Sequence, residues 1–223
     1  MTINRFEILS SEKLPSVPGV ALKVVELARN PEASVGDMVP VIKSDPALVA
    51  KILRAANSAV LGLRRNVSSI EQAVLLLGTS PLSNLVLTFS LLPKSTQQGP
   101  FAAHFQAYWR SSLTQAVAAS ELSKLRGGGT PADFFVAGLL QDIGRLALLN
   151  TKPEEYLSVQ DESQLTGRPL VELEQERLGF THAEISGVLC QRWGLAQNIQ
   201  QAVVEHHGSV SSLDQADGKQ ETS

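Results

Sequence analysis

Three titratable side chains stand where helical spacing turns them toward a core. Asp142 closes an apolar stripe that runs through Phe135 and Leu139, at positions i, i+4 and i+7 of a helical pattern. His206 closes a similar stripe near the end of the chain, and His182 begins another. A buried carboxylate without a partner is costly, so each of these polar groups needs a cation, a metal, backbone donors or a proton.

Carboxylate and imidazole groups that converge could form a metallohydrolase centre, in which metal ions activate water and neutralise a phosphate ester. Asp142, His182 and His206 would supply the ligands. The alternative is polarity satisfied within the core: Asp142 could cap a helix restarting at Ile143 or pair with Arg145, and His206 could donate to a carbonyl. The N–H groups at the start of the helix of His182 could also attract an anion. Spacing alone favours satisfied core polarity, because three scattered residues are a weak signal.

Helices must position these residues. The apolar run 134–149 predicts one helix that carries Asp142. Thr181 and Glu184 form a capping box before the helix of His182, and the last helix is predicted from Ala196 to His207.

Helix start and stop signals recur along the rest of the chain, whereas alternating strand patterns are nearly absent. Asp45 caps a helix with Pro46 in its first turn, and Ser68 with Glu71 suggests a capping box. Further helices are predicted over 19–29, 35–43, 46–56, 73–77, the segment after Pro81, 101–125 and the segment from Pro153. The predicted fold class is all-α.

The predicted organisation is an N-terminal extension (1–13), one domain (14–208) and a disordered tail or linker (209–223). Within the domain, a connector (93–100) with a proline at each end separates a front lobe (14–92) from a rear lobe (101–208). We expect the two lobes to share one packed unit.

Composition narrows the class of protein. The 223 residues are 43% hydrophobic and 18% charged, which is typical of a globular protein. A net charge of -3 and a pI near 5.8 argue against nucleic acid as the main partner. The single cysteine, Cys190, predicts a buried thiol in a reducing, cytoplasmic setting. Gly78 and Pro81 interrupt the uncharged run 73–93, which favours two buried helices over a membrane span.

Several separated motifs, taken in order, resemble those of the bacterial HDOD family, a regulatory branch related to the HD-type metal-dependent phosphohydrolases. The resemblance covers about residues 14–207. It rests on LPSVPGVALKVVELARNPEAS, SDPALVAKILRAANSAVLG, VSSIEQAVLLLG, YWRSS, FFVAGLLQDIGRLALL, HAEISGVLCQRWGL and AVVEHH.

The resemblance implies a helical front lobe packed on an HD-hydrolase-like rear lobe. It implies a role in bacterial signal transduction, often beside receiver domains or domains that make or degrade cyclic dinucleotides, without a general enzymatic reaction. The expected partners are a signalling protein of these types and a small anionic ligand, but neither a membrane nor nucleic acid. Two alternatives stay open: a residual metal-dependent phosphohydrolase in which Arg145 holds a substrate phosphate, and a sensor of a nucleotide second messenger.

The resemblance also assigns ligand positions. The related metal enzymes would carry histidine at Ser111, a His-Asp pair at 141–142, and histidines at the later positions. Serine and glutamine are poor substitutes for imidazole towards transition metals. We therefore expect no catalytic residue, bound metal or cofactor, but a relict pocket with the following members: Ser111, Gln141, Asp142, Arg145, His182, His206 and His207.

Overall fold

The computed structural model describes residues 4–15, 17–57, 67–91, 100–126 and 131–208. The first half contains α1 (Arg5–Leu9), α2 (Gly19–Arg29), α3 (Val35–Lys43), α4 (Pro46–Ala56), α5 (Ile70–Leu77) and α6 (Thr79–Leu91). The second half contains α7 (Ala102–Arg126), α8 (Pro131–Leu140), α9 (Ile143–Thr151), α10 (Pro153–Thr166), α11 (Leu170–Leu178), α12 (His182–Arg192) and α13 (Gln197–Glu205). No strand occurs among the described residues, and the all-α prediction is confirmed.

Local capping signals set several helix starts. The Asp45 carboxylate accepts hydrogen bonds from the N–H groups of Ala47 and Leu48, which begin α4. Thr181 and Glu184 form the predicted reciprocal capping box at α12. These side chains bind the N–H groups that have no partner within the first turn of a helix. Neighbouring residues in the sequence are therefore sufficient to determine where these helices begin.

The capping box predicted at Ser68 is wrong by one residue. Ser69 is the N-cap of α5, and its hydroxyl accepts from the N–H of Gln72. The carboxylate of Glu71 pairs with Lys43 of α3. A contact with another helix therefore replaces the predicted local one.

The helix predicted over 134–149 is broken. Helix α8 ends at Leu140, a turn follows, and α9 begins at Ile143 with Asp142 in its N-cap position. The side chain of Asp142 makes no capping bond, so that alternative is also wrong. Asp142 nevertheless faces inward, on the same side as the buried Phe135 and Leu139, as predicted. The break places its carboxylate at the junction of two helices.

The front and rear lobes share one core, as expected. Helix α6 packs on both α2 and α8, and buried side chains form a continuous apolar cluster across the lobes. Arg29 of α2 adds a polar bridge: its Nε donates to Asp133 of α8 (2.8 Å) and its Nη2 donates to Asn198 of α13 (3.3 Å). The front lobe is thereby joined to the rear lobe by both apolar and charged contacts.

The N-terminal extension contains a helix that the sequence analysis missed. Asn4 caps α1, whose Ile8 is fully buried. Glu7 pairs with Lys152 (2.7 Å), and Arg192 donates to the carbonyl of Leu9. The extension thus packs on the rear lobe. Most of the predicted connector (93–99) and the whole predicted tail (209–223) lie outside the described residues.

The described part of the uncharged run, residues 73–91, forms parts of two helices, as predicted. Gly78, with a φ of 84°, ends α5, and α6 begins at the next residue. Glycine reaches this backbone region without the steric cost that other residues incur. Among the described helices, none has both the length and the apolar character that a bilayer crossing requires.

Candidate metal centre

Four ligand-bearing side chains converge in the rear lobe. Asp142 lies at the α8–α9 junction, His182 is the first residue of α12, and His206 and His207 follow the last turn of α13. One ligand atom from each lies within 4.8 Å of those of the other three. The convergence of Asp142, His182 and His206 suggested by the sequence is therefore present, and His207 joins them.

The close approach of α9 to α12 depends on Gly144. Its N–H donates to the hydroxyl of Ser186 (2.8 Å), which in turn donates to the carbonyl oxygen of His182 (2.9 Å). A Cβ at position 144 would overlap that carbonyl oxygen. Glycine therefore lets the backbone of α9 touch the first turn of α12, which brings Asp142 to His182.

His182 is held between two buried carboxylates. Its Nε2 is 3.1 Å from Oδ1 of Asp142, and its Nδ1 is 2.6 Å from Oε2 of Glu174. Burial alone would lower the pKa of His182, but the hydrogen bonds with Asp142 and Glu174 outweigh it and raise that pKa. The two carboxylates therefore favour the protonated form of His182.

Glu174 and Tyr156 were missed by the sequence analysis. Glu174 is fully buried and also accepts from the backbone N–H of His182 (2.8 Å) and from the hydroxyl of Tyr156 (2.6 Å). The anion suggested for the start of α12 is thus the protein's own Glu174. The spacing of Leu170, Glu174 and Leu178 at every fourth residue could have indicated an inward glutamate.

The Asp142 carboxyl is stabilised as an anion. Burial would raise the pKa of Asp142, but the hydrogen bond with His182 and the nearby ring of His206 dominate and hold that pKa well below its usual range. The predicted partner Arg145 is farther away, with its Nη1 3.9 Å from Oδ1 of Asp142. The imidazoles are therefore the main partners of Asp142, and Arg145 contributes at longer range.

His206 and His207 direct ring nitrogens at the cluster. Nδ1 of His206 donates to the carbonyl of Val203 (2.7 Å), as one alternative predicted. This leaves Nε2 of His206 buried, without a hydrogen-bond partner and 3.7 Å from Oδ1 of Asp142. Burial, together with the neighbouring His206 and His182, lowers the pKa of His207 to about 4. His207 is therefore neutral at physiological pH, with a nitrogen lone pair available.

Three of the separations between these atoms are close to those around one transition-metal ion. A tetrahedral ion with bonds of about 2.1 Å has ligand atoms about 3.4 Å apart. The separations are 2.9 Å between the Nε2 atoms of His182 and His207, and 3.1 and 3.7 Å from Oδ1 of Asp142 to the Nε2 atoms of His182 and His206. Three imidazole nitrogens and one carboxylate oxygen suit zinc or cobalt better than magnesium or calcium.

The other members of the predicted relict pocket are placed differently. Ser111 is exposed on α7 and lines a surface depression with Gln106, Arg110 and Thr114, which includes none of the four ligands. Gln141 is partly buried in the turn before Asp142. Arg145 lies at ion-pair distance from Asp142.

Comparisons with known proteins agree with the helical architecture. The HDOD domain pattern matches residues 14–209. An HDOD domain protein of unknown function from Geobacter sulfurreducens is similar in structure, with 25% identity, a TM-score of 0.78, and coverage of 92% of this chain and 68% of that protein. A Marinobacter aquaeolei VT8 protein, provisionally described as a signal transduction protein, has 27% identity and a TM-score of 0.77 over 94% of this chain and 47% of its own.

Two further relatives extend the comparison. A Shewanella amazonensis SB2B protein, provisionally described as a phosphohydrolase, has 25% identity and a TM-score of 0.73 over 93% of this chain and 74% of its own. An uncharacterized protein of Treponema pallidum (strain Nichols) is 26% identical over 199 residues, or 88% of this chain; the chain spans 38% of that protein's length. With the family pattern matched over nearly the whole sequence, the chain belongs to the HDOD domain family.

Proposed function

We propose that this HDOD domain is a bacterial signalling module that acts through contacts with a partner and does not hydrolyse phosphate esters. Membership of the HDOD family and the likeness to a protein described as a signal transduction protein support the signalling role. Because the chain also resembles a protein described as a phosphohydrolase, hydrolysis of phosphate esters has to be tested as well. The donor set around Asp142 supports the absence of turnover.

The single observation behind this proposal is that four protein ligand atoms lie within 4.8 Å of one another. Asp142, His182, His206 and His207 would hold one borderline ion, such as zinc, without a ligand from solvent. Structural zinc sites are closed in this way, whereas catalytic sites keep a position open for water or substrate. A closed set supports a structural role for the ion.

The two positions without imidazole support the same conclusion. A second ion would need donors beyond the four already used, and Ser111 and Gln141 offer only neutral oxygen or amide groups. Ser111 is also exposed on α7 rather than packed at the cluster. A paired-ion centre, in which one ion activates water and both stabilise the leaving group, therefore lacks ligands on this side.

The four ligands link separate elements. Asp142 belongs to the α8–α9 junction, His182 to the start of α12, and the two later histidines to the end of α13. When bound, an ion would supply a cross-link that stabilises the packed arrangement of these helices. His182 can instead carry a proton between Asp142 and Glu174, so the cluster also holds together without the ion.

The partner that we propose is a signalling protein of the receiver or cyclic-dinucleotide domain type, with a small anionic ligand as a further candidate. The chain spans only part of its Treponema and Marinobacter relatives, so more sequence accompanies the domain in those proteins. Contacts between such sequence and the helical surfaces would provide the route for the signal.

Metal analysis of purified protein, combined with a broad phosphatase and phosphodiesterase screen, tests this function. We expect at most one bound zinc or cobalt ion per chain and no turnover above that of the Asp142→Ala variant. Two ions per chain together with turnover that Asp142→Ala abolishes would overturn the proposal. Asp161→Ala, which changes an exposed carboxylate on α10, is the matched control.

One observation favours a residual phosphohydrolase as the second candidate. Nε of Arg145 is buried without a hydrogen-bond partner, and the guanidinium lies at ion-pair distance from Asp142. A guanidinium in this position could hold a phosphate oxygen beside one ion. Arg145→Gln would then raise the KM for a phosphate ester substrate, whereas a preparation without any turnover excludes this candidate.

A further inference from the structure

The buried carboxylate of Glu174 touches the candidate metal centre without belonging to its ligand set. Glu174 lies on α11 and is fully buried. Its Oε2 accepts from both the backbone N–H (2.8 Å) and the ring Nδ1 (2.6 Å) of His182. One oxygen therefore binds the same residue at two places.

This double contact fixes the orientation of the His182 ring. The backbone bond sets the position of Glu174 relative to the first turn of α12, and the ring bond then restricts rotation of the imidazole. The opposite nitrogen, Nε2, consequently points at Oδ1 of Asp142 (3.1 Å) and Nε2 of His207 (2.9 Å). The ring is thus aimed before any ion arrives.

Glu174 is itself held in place. Its other oxygen, Oε1, accepts from the hydroxyl of Tyr156 on α10 at 2.6 Å, and Tyr156 is fully buried. A buried carboxylate is retained only where hydrogen bonds offset its desolvation. Three donors, from Tyr156 and His182, fulfil that condition and connect α10, α11 and α12.

The contact also selects a tautomer. A proton on Nδ1 that is shared with a carboxylate leaves the lone pair of a neutral imidazole on Nε2, which is the nitrogen that faces the other ligands. Carboxylate partners of metal-bound histidines raise the basicity of the ligating nitrogen, and their loss commonly reduces metal affinity by about 10-fold to 100-fold.

We infer that Glu174, supported by Tyr156, is a positioning residue that prepares His182 to bind a single zinc-class ion together with Asp142, His206 and His207. This inference rests on the proposed single-ion site. It adds to that site a buried series of hydrogen bonds from Tyr156 through Glu174 to His182. Tyr156 and Glu174 thereby influence the affinity for the ion without contacting it. The donor set makes zinc or cobalt the expected ligand and magnesium a poor one.

The test uses the full chain, stripped of metal and titrated with Zn²⁺ against a chromogenic chelator. Glu174→Gln keeps the shape of the side chain but removes its charge, and we expect it to lower Zn²⁺ affinity by about 10-fold to 100-fold. The matched control is Glu172→Gln, an exposed glutamate on the same helix, which should bind as the wild type does. An affinity of Glu174→Gln within twofold of wild type would overturn the inference.

Two further readouts separate positioning from simple loss of structure. The visible spectrum of bound Co²⁺ should show the same coordination number in wild type and Glu174→Gln, because the ligands are unchanged. Tyr156→Phe retains the carboxylate and should cause a smaller loss of Zn²⁺ affinity. This variant also keeps the inference testable if Glu174→Gln does not fold, since an unchanged affinity in folded Tyr156→Phe would then count against it.

A separate measurement distinguishes failure of the site from failure of the inference. If the wild type binds neither Zn²⁺ nor Co²⁺, the proposed single-ion site is wrong. The ¹⁵N spectrum of the His182 ring in metal-free protein then decides the positioning role. Near pH 8 we expect protonated Nδ1 in wild type and an altered tautomer ratio in Glu174→Gln; identical ring signals would contradict the role of Glu174.

Discussion

Nε2 of His182 and Nε2 of His207 face each other at 2.9 Å, although they belong to different helical segments. Two nitrogen lone pairs at this distance repel, so a proton or a cation must lie between them. The pKa of His182 is raised by its carboxylate partners, whereas burial and neighbouring positive charge lower the pKa of His207 to about 4. When His182 is protonated on both nitrogens, its Nε2 therefore supplies the proton between the two rings.

This arrangement predicts the pH dependence of stability. Because its pKa is raised on folding, His182 stabilises the protein below its ordinary pKa of 6.5, and the stabilisation is lost as pH rises through the folded-state pKa. Asp142, with a lowered pKa, stabilises above its ordinary value of 3.8, and the effect is lost as pH falls. The urea midpoint of metal-free protein should fall above pH about 6.5. His104→Gln, at an exposed position, is the control; a flat profile shared by both proteins would contradict the prediction.

Replacing Asp142 tests how much the buried charge network stabilises the fold. Asp142→Asn removes the anion that faces His182 and His206, and we expect it to lower the free energy of unfolding by about 3–5 kcal/mol. Asp161→Asn, on the exposed side of α10, should change it by less than about 0.5 kcal/mol. Urea denaturation of both variants at pH 6 provides the comparison. Equal stability of the two variants would mean that Asp142 is only weakly held.

Two glycines at helix contacts should respond differently to alanine. A Cβ at Gly144 would overlap the backbone carbonyl of His182, whereas a Cβ at Gly187 would meet only the tip of the half-exposed Val204 side chain. We expect Gly144→Ala to cost about 3 kcal/mol and Gly187→Ala less than about 1 kcal/mol, because a side chain rotates more easily than two backbones separate. Thermal unfolding measures both. A larger loss of stability in Gly187→Ala than in Gly144→Ala would contradict this prediction.

Cys190 should be unreactive in the folded protein. Burial raises the pKa of its thiol to about 12, so the thiolate fraction at pH 8 is negligible. We expect modification by a thiol-specific reagent to be far slower than in the urea-unfolded chain and to accelerate in Asp142→Asn, which opens more often. Rapid labelling of the native wild type would show that the thiol is accessible.

The sequence predicts those parts of the fold that local chemistry controls. The side chains of Asp45 and Thr181 accept hydrogen bonds from backbone N–H groups only two or three residues away, so the starts of these helices can be predicted directly. The break before Ile143 is different, because apolar residues continue on both sides and no glycine or proline marks the break itself. Contacts made by Asp142 and Gly144 with α12 accompany this break.

The candidate site likewise contains residues that the sequence predicts and residues that it does not. Asp142 and His182 could be predicted because each interrupts an apolar stripe. The spacing of Glu174 could indicate an inward side chain, but its role could not be predicted, since its partners Tyr156 and His182 lie on other helices. His207 is next to His206 in sequence, but its inward nitrogen depends on where α13 ends.

The hydrogen bond from Arg29 to Asn198 connects α2 to the start of α13, so a movement of α2 could tilt α13. Asn198 lies in the first turn of this helix, and the paired imidazoles of His206 and His207 follow its last turn, about 13 Å away. A tilt of about ten degrees imposed through α2 would move that far end by roughly 2 Å. A displacement of this size exceeds the tolerance of a coordination sphere. A force on the front lobe would therefore change the affinity of the rear lobe for the ion, and ion binding would in turn resist movement of the front lobe.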